Sequence, residues 1–259
     1  MPKKDKIGIL MIHGFTACPE QFNELADFFS SKGFLVRAPL IAGHGGTPEY
    51  LEKSSSDDWK NSVREAYLAL KEEAEKIFII GNSFGGNLAF WLTREFDNEP
   101  AGVITLGAPI WLKYQNFILL RLNTYGILRK YYTKPKRVYK NIIAFLACFF
   151  IKKNAEFTWA PIIKNREHEV IPTRSFRYFL QFIKNDTKPN LNQIKTPVFI
   201  VHSLVDTVVE PRSADFIYEN VSSRNKTIYW FPSNYHIVTQ DEKRLKLFKK
   251  IFSFINGLS

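Results

Sequence analysis

The sequence predicts an α/β domain: a mainly parallel six-stranded, doubly wound sheet with helices on both faces and one mostly helical insertion. Three observations predict it. Apolar runs rich in Ile and Val, at residues 7–12, 78–80 and 198–201, are continuous rather than alternating, as expected of strands buried on both faces. Most such runs lead through a short glycine-bearing or acidic loop into apolar spacing of helical period. The alternation then stops near Ile110 and resumes at Thr196, which leaves room for an insertion of about 80 residues. The core is therefore expected over residues 1–110 and 191–259, with 111–190 as a helical cap.

In chain order, residues 7–12 form the first strand and lead into His13-Gly14-Phe15-Thr16, where Gly14 permits a tight turn. Residues 20–31 carry Phe22, Leu25, Phe28 and Phe29 at helical spacing and close on Lys32-Gly33. A short strand at 34–36 precedes Gly43-His44-Gly45-Gly46, read as a surface loop. It is not a phosphate cradle, because no Lys-Ser/Thr pair and no helix follow it. Ser56-Asp57-Asp58 is the expected cap of a helix to about residue 75, with Trp59, Val63, Tyr67 and Leu70 on one stripe. After the insertion, strands at 196–201 and 227–231 and helices near 212–221 and 241–256 complete the pattern.

The chemistry centres on Gly81-Asn82-Ser83-Phe84-Gly85-Gly86, a Gly-x-Ser-x-Gly motif with a strand before it and a helix after it. That context makes it a nucleophile elbow, in which small flanking residues allow a sharp turn that lifts Ser83 clear of the sheet. A nucleophilic serine needs a base, and the base needs an orienting acid. Asp206 falls in the loop after the strand at 196–201. An aspartate there can also simply brace the turn into the next helix. His236 follows the last strand and is the general-base candidate. His202 shares the strand end of the acid and reads as packing. His13 and His44 read as loop-bracing residues, and His168 lacks a partner at metal-ligand spacing. The backbone amides of Phe15 and Phe84 are placed to serve as an oxyanion hole.

These segments resemble the small bacterial carboxylesterase and monoacylglycerol-lipase-like group of the α/β-hydrolase superfamily. The resemblance rests on His13-Gly14-Phe15-Thr16, Gly43-His44-Gly45, Asp57-Asp58-Trp59, the elbow, Gly107-Ala108-Pro109, Asp206 and His236-Ile237-Val238-Thr239. It covers roughly residues 6–110 and 195–257 and implies the fold, the triad Ser83–Asp206–His236, the Phe15/Phe84 oxyanion hole and ester hydrolysis without a cofactor. Asn82, where that group more often has an aliphatic residue or histidine, and Tyr235, where it tends to have glycine, depart from the pattern. They alter the polarity and width of the site but remove no catalytic group.

The expected reaction is hydrolysis of short-to-medium acyl esters or monoacylglycerols through an acyl-enzyme. Thioester cleavage or acyl transfer uses the same triad and stays open, as does a non-catalytic hydrolase-fold binding protein. Charge narrows the partners. The chain carries a net +11, and residues 111–190 alone hold sixteen Lys/Arg against four Asp/Glu, a net +12, with twenty against twenty-one elsewhere. The insertion is thus a basic, aromatic cap over the site, or a surface that meets anionic lipid, and both can hold. No nucleic-acid-binding motif accompanies the charge, so nucleic acid is not an expected partner. Two cysteines make no disulfide framework, no zinc or calcium pattern occurs, and the apolar stretch at 7–12 is too short for a signal peptide; a cytoplasmic setting is expected.

Overall fold

A computed structural model describes residues 6–113 and 171–258. Among these, six strands form one sheet, β1 (Ile7–Ile12), β2 (Leu35–Arg37), β3 (Lys76–Asn82), β4 (Gly102–Leu106), β5 (Val198–Ser203) and β6 (Lys226–Phe231), in the order β2-β1-β3-β4-β5-β6. Every neighbouring pair is parallel. Parallel pairing places all carboxyl ends along one edge, and it is along this edge that the functional loops emerge.

The continuous apolar strands are explained by cover on both faces. Leu10, Ile12, Ile79, Val103, Val198 and Ile200 point into one core layer. It is closed by α2 (Pro48–Lys53), α3 (Ser56–Lys71), α4 (Phe84–Glu95), α5 (Thr173–Gln181) and α6 (Arg212–Asn220). The intervening Ile9, Met11, Phe78, Ile80, Ile104 and Val201 point the other way, onto α1 (Asn23–Ser30) and α7 (Arg244–Asn256). The buried stripe Trp59, Val63, Tyr67 and Leu70 of α3 lies as its spacing predicts.

Several local expectations need correction. The cap of α3 is Ser55 rather than Ser56: Ser55 Oγ accepts from the Asp58 amide (3.3 Å), while Asp58 Oδ2 accepts from the Ser55 amide (2.8 Å). This reciprocal box satisfies two amide donors that the first turn cannot use. The helix ends at Lys71, not near residue 75. The Gly43–Gly46 stretch is a surface loop only in its second half: Gly45 is exposed, whereas Gly43 and His44 are buried and a Cβ on Gly43 would meet Ser54 Oγ at 2.3 Å. α2 had no counterpart in the sequence reading.

Of the expected insertion, residues 114–170 lie outside the described residues. Residues 111–113 pair with the loop after β5, where Leu112 bridges Val209 and the Lys113 amide donates to the Val208 carbonyl (2.9 Å). Residues 173–193 are helical throughout, as α5, a π-turn at Phe182–Thr187 and a 3-10 stretch at Lys188–Gln193. Their Phe176, Phe179, Phe182 and Ile183 are buried in the α3/α4 layer. Asp186 fixes this stretch through Lys60 (3.1 Å) and, at its carbonyl, Arg94 (3.2 Å).

Candidate active site

β3 ends and α4 begins with only Ser83 between them. Ser83 sits at φ 51°, ψ −121°, a backbone conformation that costs a side-chain-bearing residue on the order of 1–3 kcal/mol and persists only where its surroundings enforce it. The enforcement is visible. The Ser83 amide donates to the Leu106 carbonyl (2.7 Å), and its carbonyl accepts from Gly86 (2.8 Å). A Cβ on Gly81 would stand 2.3 Å from the Gly85 carbonyl oxygen, and one on Gly85 2.0 Å from that of Ile12. The motif's glycines are therefore a steric requirement of the turn. Ser83 is left partly exposed at the first turn of α4, whose unpaired amides favour negative charge.

The candidate acid and base come from the neighbouring strand ends. Asp206 follows β5 and His236 follows β6, and the two loops are stitched together by Leu204 N–H to the Phe231 carbonyl (3.0 Å) and Ser203 Oγ to the Ser233 carbonyl (2.5 Å). Asp206 Oδ2 accepts from His236 Nδ1 at 2.7 Å, and Oδ1 accepts from the amides of Val208 and Val209, both at 2.8 Å. Asp206 thus braces the turn with one oxygen and meets His236 with the other. Asp206 is fully buried and His236 nearly so, at 7% exposure. Burial acts to raise the Asp206 pKa, but the His236 imidazole and the Val209 and Val208 amides outweigh it, and the carboxyl lies below its ordinary value. Lys113 Nζ donates to the Asp206 carbonyl. Gly107, at φ 65°, passes beneath the pair; a Cβ there would lie 3.3 Å from His236 Cε1.

The early loop reaches the same place. A Cβ on Gly14 would stand 3.3 Å from Ser83 Cβ, so the following Phe15 lies beside the nucleophile. Phe15 and Thr16 form a turn closed by Ala17 N–H to the Gly14 carbonyl (3.1 Å), with Thr16 at φ 61°. A β-branched residue in the left-handed region is an outlier that needs outside support. The Phe15 ring supplies it, packed among Trp59, Phe84, Phe176, Phe179 and His44. Such ring pairs contribute about 0.5–1.5 kcal/mol each beyond area burial.

Of the other histidines, His168 lies outside the described residues; His13, His44 and His202 divide as read, with one addition. His13 donates from Nδ1 to the Gly14 carbonyl (2.9 Å) and accepts the Ile41 amide at Nε2 (3.0 Å), which braces the loop that carries Phe15. His44 donates from Nδ1 to the Ala42 carbonyl (3.0 Å), and burial lowers its pKa to about 4. His202 is buried against Trp230, but its Nε2 also lies 3.7 Å from Asp206 Oδ2, a proximity that packing alone did not lead us to expect. Burial, against the pull of Asp206, keeps His202 below its ordinary pKa. Asn82 lies buried beneath the elbow and donates to Gln21 Oε1 (3.3 Å). Phe179 and Phe182, which contact the oxyanion-loop residues, were not anticipated; their only sequence signal was apolar spacing at helical period.

Comparison with known proteins places this geometry in a lineage. A thermostable monoacylglycerol lipase of Bacillus sp. (strain H-257) is 29% identical over 248 residues, covering 96% of this chain and 90% of the relative. A carboxylesterase of Bacillus subtilis (strain 168) is 26% identical over 251 residues, covering 96% and 92%. A solved structure from work on the metagenome-derived lipolytic enzymes LipS and LipT superposes with a TM-score of 0.75 at 24% identity, covering 98% of this chain and 94% of that one. Residues 3–243 match the family Hydrolase_4, described as serine aminopeptidase, S33. The chain belongs to that family and has the α/β-hydrolase fold.

Proposed function

We propose that the protein is a serine carboxylic-ester hydrolase that forms an acyl-enzyme on Ser83. One observation carries the assignment of roles: the 2.7 Å Asp206–His236 hydrogen bond sits on the same sheet edge as a serine held in the strained elbow. His236 Nε2 takes the Ser83 hydroxyl proton as Oγ adds to the ester carbonyl, and the amides of Phe15 and Phe84 receive the oxyanion. The tetrahedral adduct collapses, His236 returns the proton to the departing alkoxide, and the alcohol leaves. Water then adds to the acyl-enzyme by the same route, releasing the acid and free Ser83. Asp206, pinned at both oxygens, holds the imidazole with its proton on Nδ1 and stabilises the imidazolium.

Short-to-medium acyl esters or monoacylglycerols are the proposed substrates. Leu204 and Val205, just before Asp206, and Tyr235, just before His236, are exposed at the carboxyl edge and give it an apolar rim. The names of the two Bacillus relatives support the same substrates. Residues 111–190 are proposed as the cap, in peripheral contact with anionic lipid through their basic excess, and the protein as cytoplasmic. Among the described residues no helix is long and apolar enough to cross a membrane.

The test is hydrolysis of p-nitrophenyl esters from acetate to palmitate, with labelling of Ser83 by an active-site phosphonate. Activity that peaks at one chain length and vanishes in a folded Ser83→Ala variant is expected. Undiminished activity in that variant would overturn the assignment. An ester-inactive wild type that cleaves an aminoacyl amide or a thioester would move the reaction to that bond.

A further inference from the structure

The described end of the expected cap reaches the oxyanion loops directly. The Phe179 ring of α5 stacks on Phe15, with centroids 4.9 Å apart and planes at 14°, and meets Phe84 edge-on at 5.2 Å and 78°. Phe15 and Phe84 meet edge-on at 6.1 Å and 85°, so the three rings close on themselves. Phe182 adds a second edge contact to Phe84 at 5.2 Å. We propose that Phe179 is a positioning residue of the oxyanion hole, setting the Phe15 and Phe84 amides relative to one another through its two ring contacts. The proposal rests on the reading of those amides as the oxyanion donors.

The two donors differ in how firmly the chain holds them. Phe84 is the first residue of α4, and its fully buried ring is fixed by the elbow that precedes it. Phe15 belongs to a turn that contains Thr16 at positive φ, which local geometry does not favour, so its place depends on what grips the ring. Phe179 joins the firm donor to the dependent one. It is itself anchored from elsewhere. In α5, Ser175 Oγ donates to the Leu51 carbonyl (3.1 Å); within the π-turn, Thr187 Oγ1 accepts from Asn87 Nδ2 (3.2 Å) and Asp186 pairs with Lys60. A π-turn directly after a helix that touches the reaction centre fits the tendency of such turns to occur at functional sites.

Loosening this ring group moves one donor away from where oxyanion charge develops while the ester ground state is bound as before. The loss therefore falls on kcat rather than KM. We would measure kcat and KM for the best p-nitrophenyl ester, and the Ki of an arylboronic acid that adds to the serine, in Phe179→Ala and Phe179→Leu well below their melting temperatures. Expected for Phe179→Ala is a fall in kcat of about tenfold to a hundredfold, a comparable rise in boronate Ki, and KM within about twofold. Phe179→Leu, which keeps most of the volume but not the stacked ring, should fall between, and it carries the test if the alanine variant does not fold. Folded variants with kcat and boronate Ki within twofold of wild type, or with KM raised as much as Ki, would overturn the proposal. Failure of the phosphonate to label wild-type Ser83 would instead remove the underlying oxyanion reading.

Discussion

Asp206 shows how much one residue type at one position can disclose. Its place after a late strand made it the candidate acid, and the competing turn-bracing role turned out to use the other oxygen. His202 was harder to read, since a histidine on a buried strand end is usually packed. Its 3.7 Å approach to Asp206 depends on how the chain turns at Leu204 and Val205, which residue identity does not specify. His44 leads to a prediction. Unfolded it titrates near 6.5, folded at about 4, so between these values the unfolded chain binds the extra proton and stability falls as pH is lowered. His202, also lowered, acts in the same sense. The His44 contribution amounts to about 3 kcal/mol by the lower end of that window. Urea unfolding of wild type and His44→Gln at pH 7 and 4.5 should show a flatter pH dependence in the variant; equal slopes would refute it.

At the scale of elements, legibility followed local constraint. The elbow was readable because its glycines answer a steric demand that no other residue meets. α2 was not, since six residues hold too little periodicity to register. Nor was the start of α3, because Ser54, Ser55 and Ser56 are equal candidates until the Asp58 carboxylate chooses one. Glycines outside the elbow provide a contrast. Gly85→Ala places a methyl 2.0 Å from a backbone oxygen and should yield no folded, active protein. Gly33→Ala meets nothing within 4 Å and is penalised only for φ +84°, by about 1–2 kcal/mol. Thermal melts and esterase assays of the two variants check this; a well-folded, active Gly85→Ala would refute the steric account of the elbow.

Across the whole molecule, the sheet was legible because two covered faces require unbroken apolar strands, and the chain supplies them. The role of residues 171–193 was not. A helical aromatic pattern says that a face is buried but not against what, and here the answer involves α4, more than a third of the chain away in sequence. Charge is a property of this scale too. With +12 in residues 111–190 and near-neutrality elsewhere, association with vesicles containing phosphatidylserine should be measurable at low ionic strength. It should weaken steeply towards physiological salt and be absent with neutral vesicles. Cosedimentation indifferent to salt and lipid charge would argue against a peripheral lipid contact.

The bridge between Leu112 and Val209 carries a consequence for ancestry. It fastens the chain to the loop that follows Asp206 just before residue 114, and α5 is anchored to the core soon after residue 170. The edge that bears Ser83, Asp206 and His236 is thereby tied down on either side of residues 114–170. What lies between can be lengthened, shortened or rewritten over generations while the reaction is kept and the choice of substrate drifts.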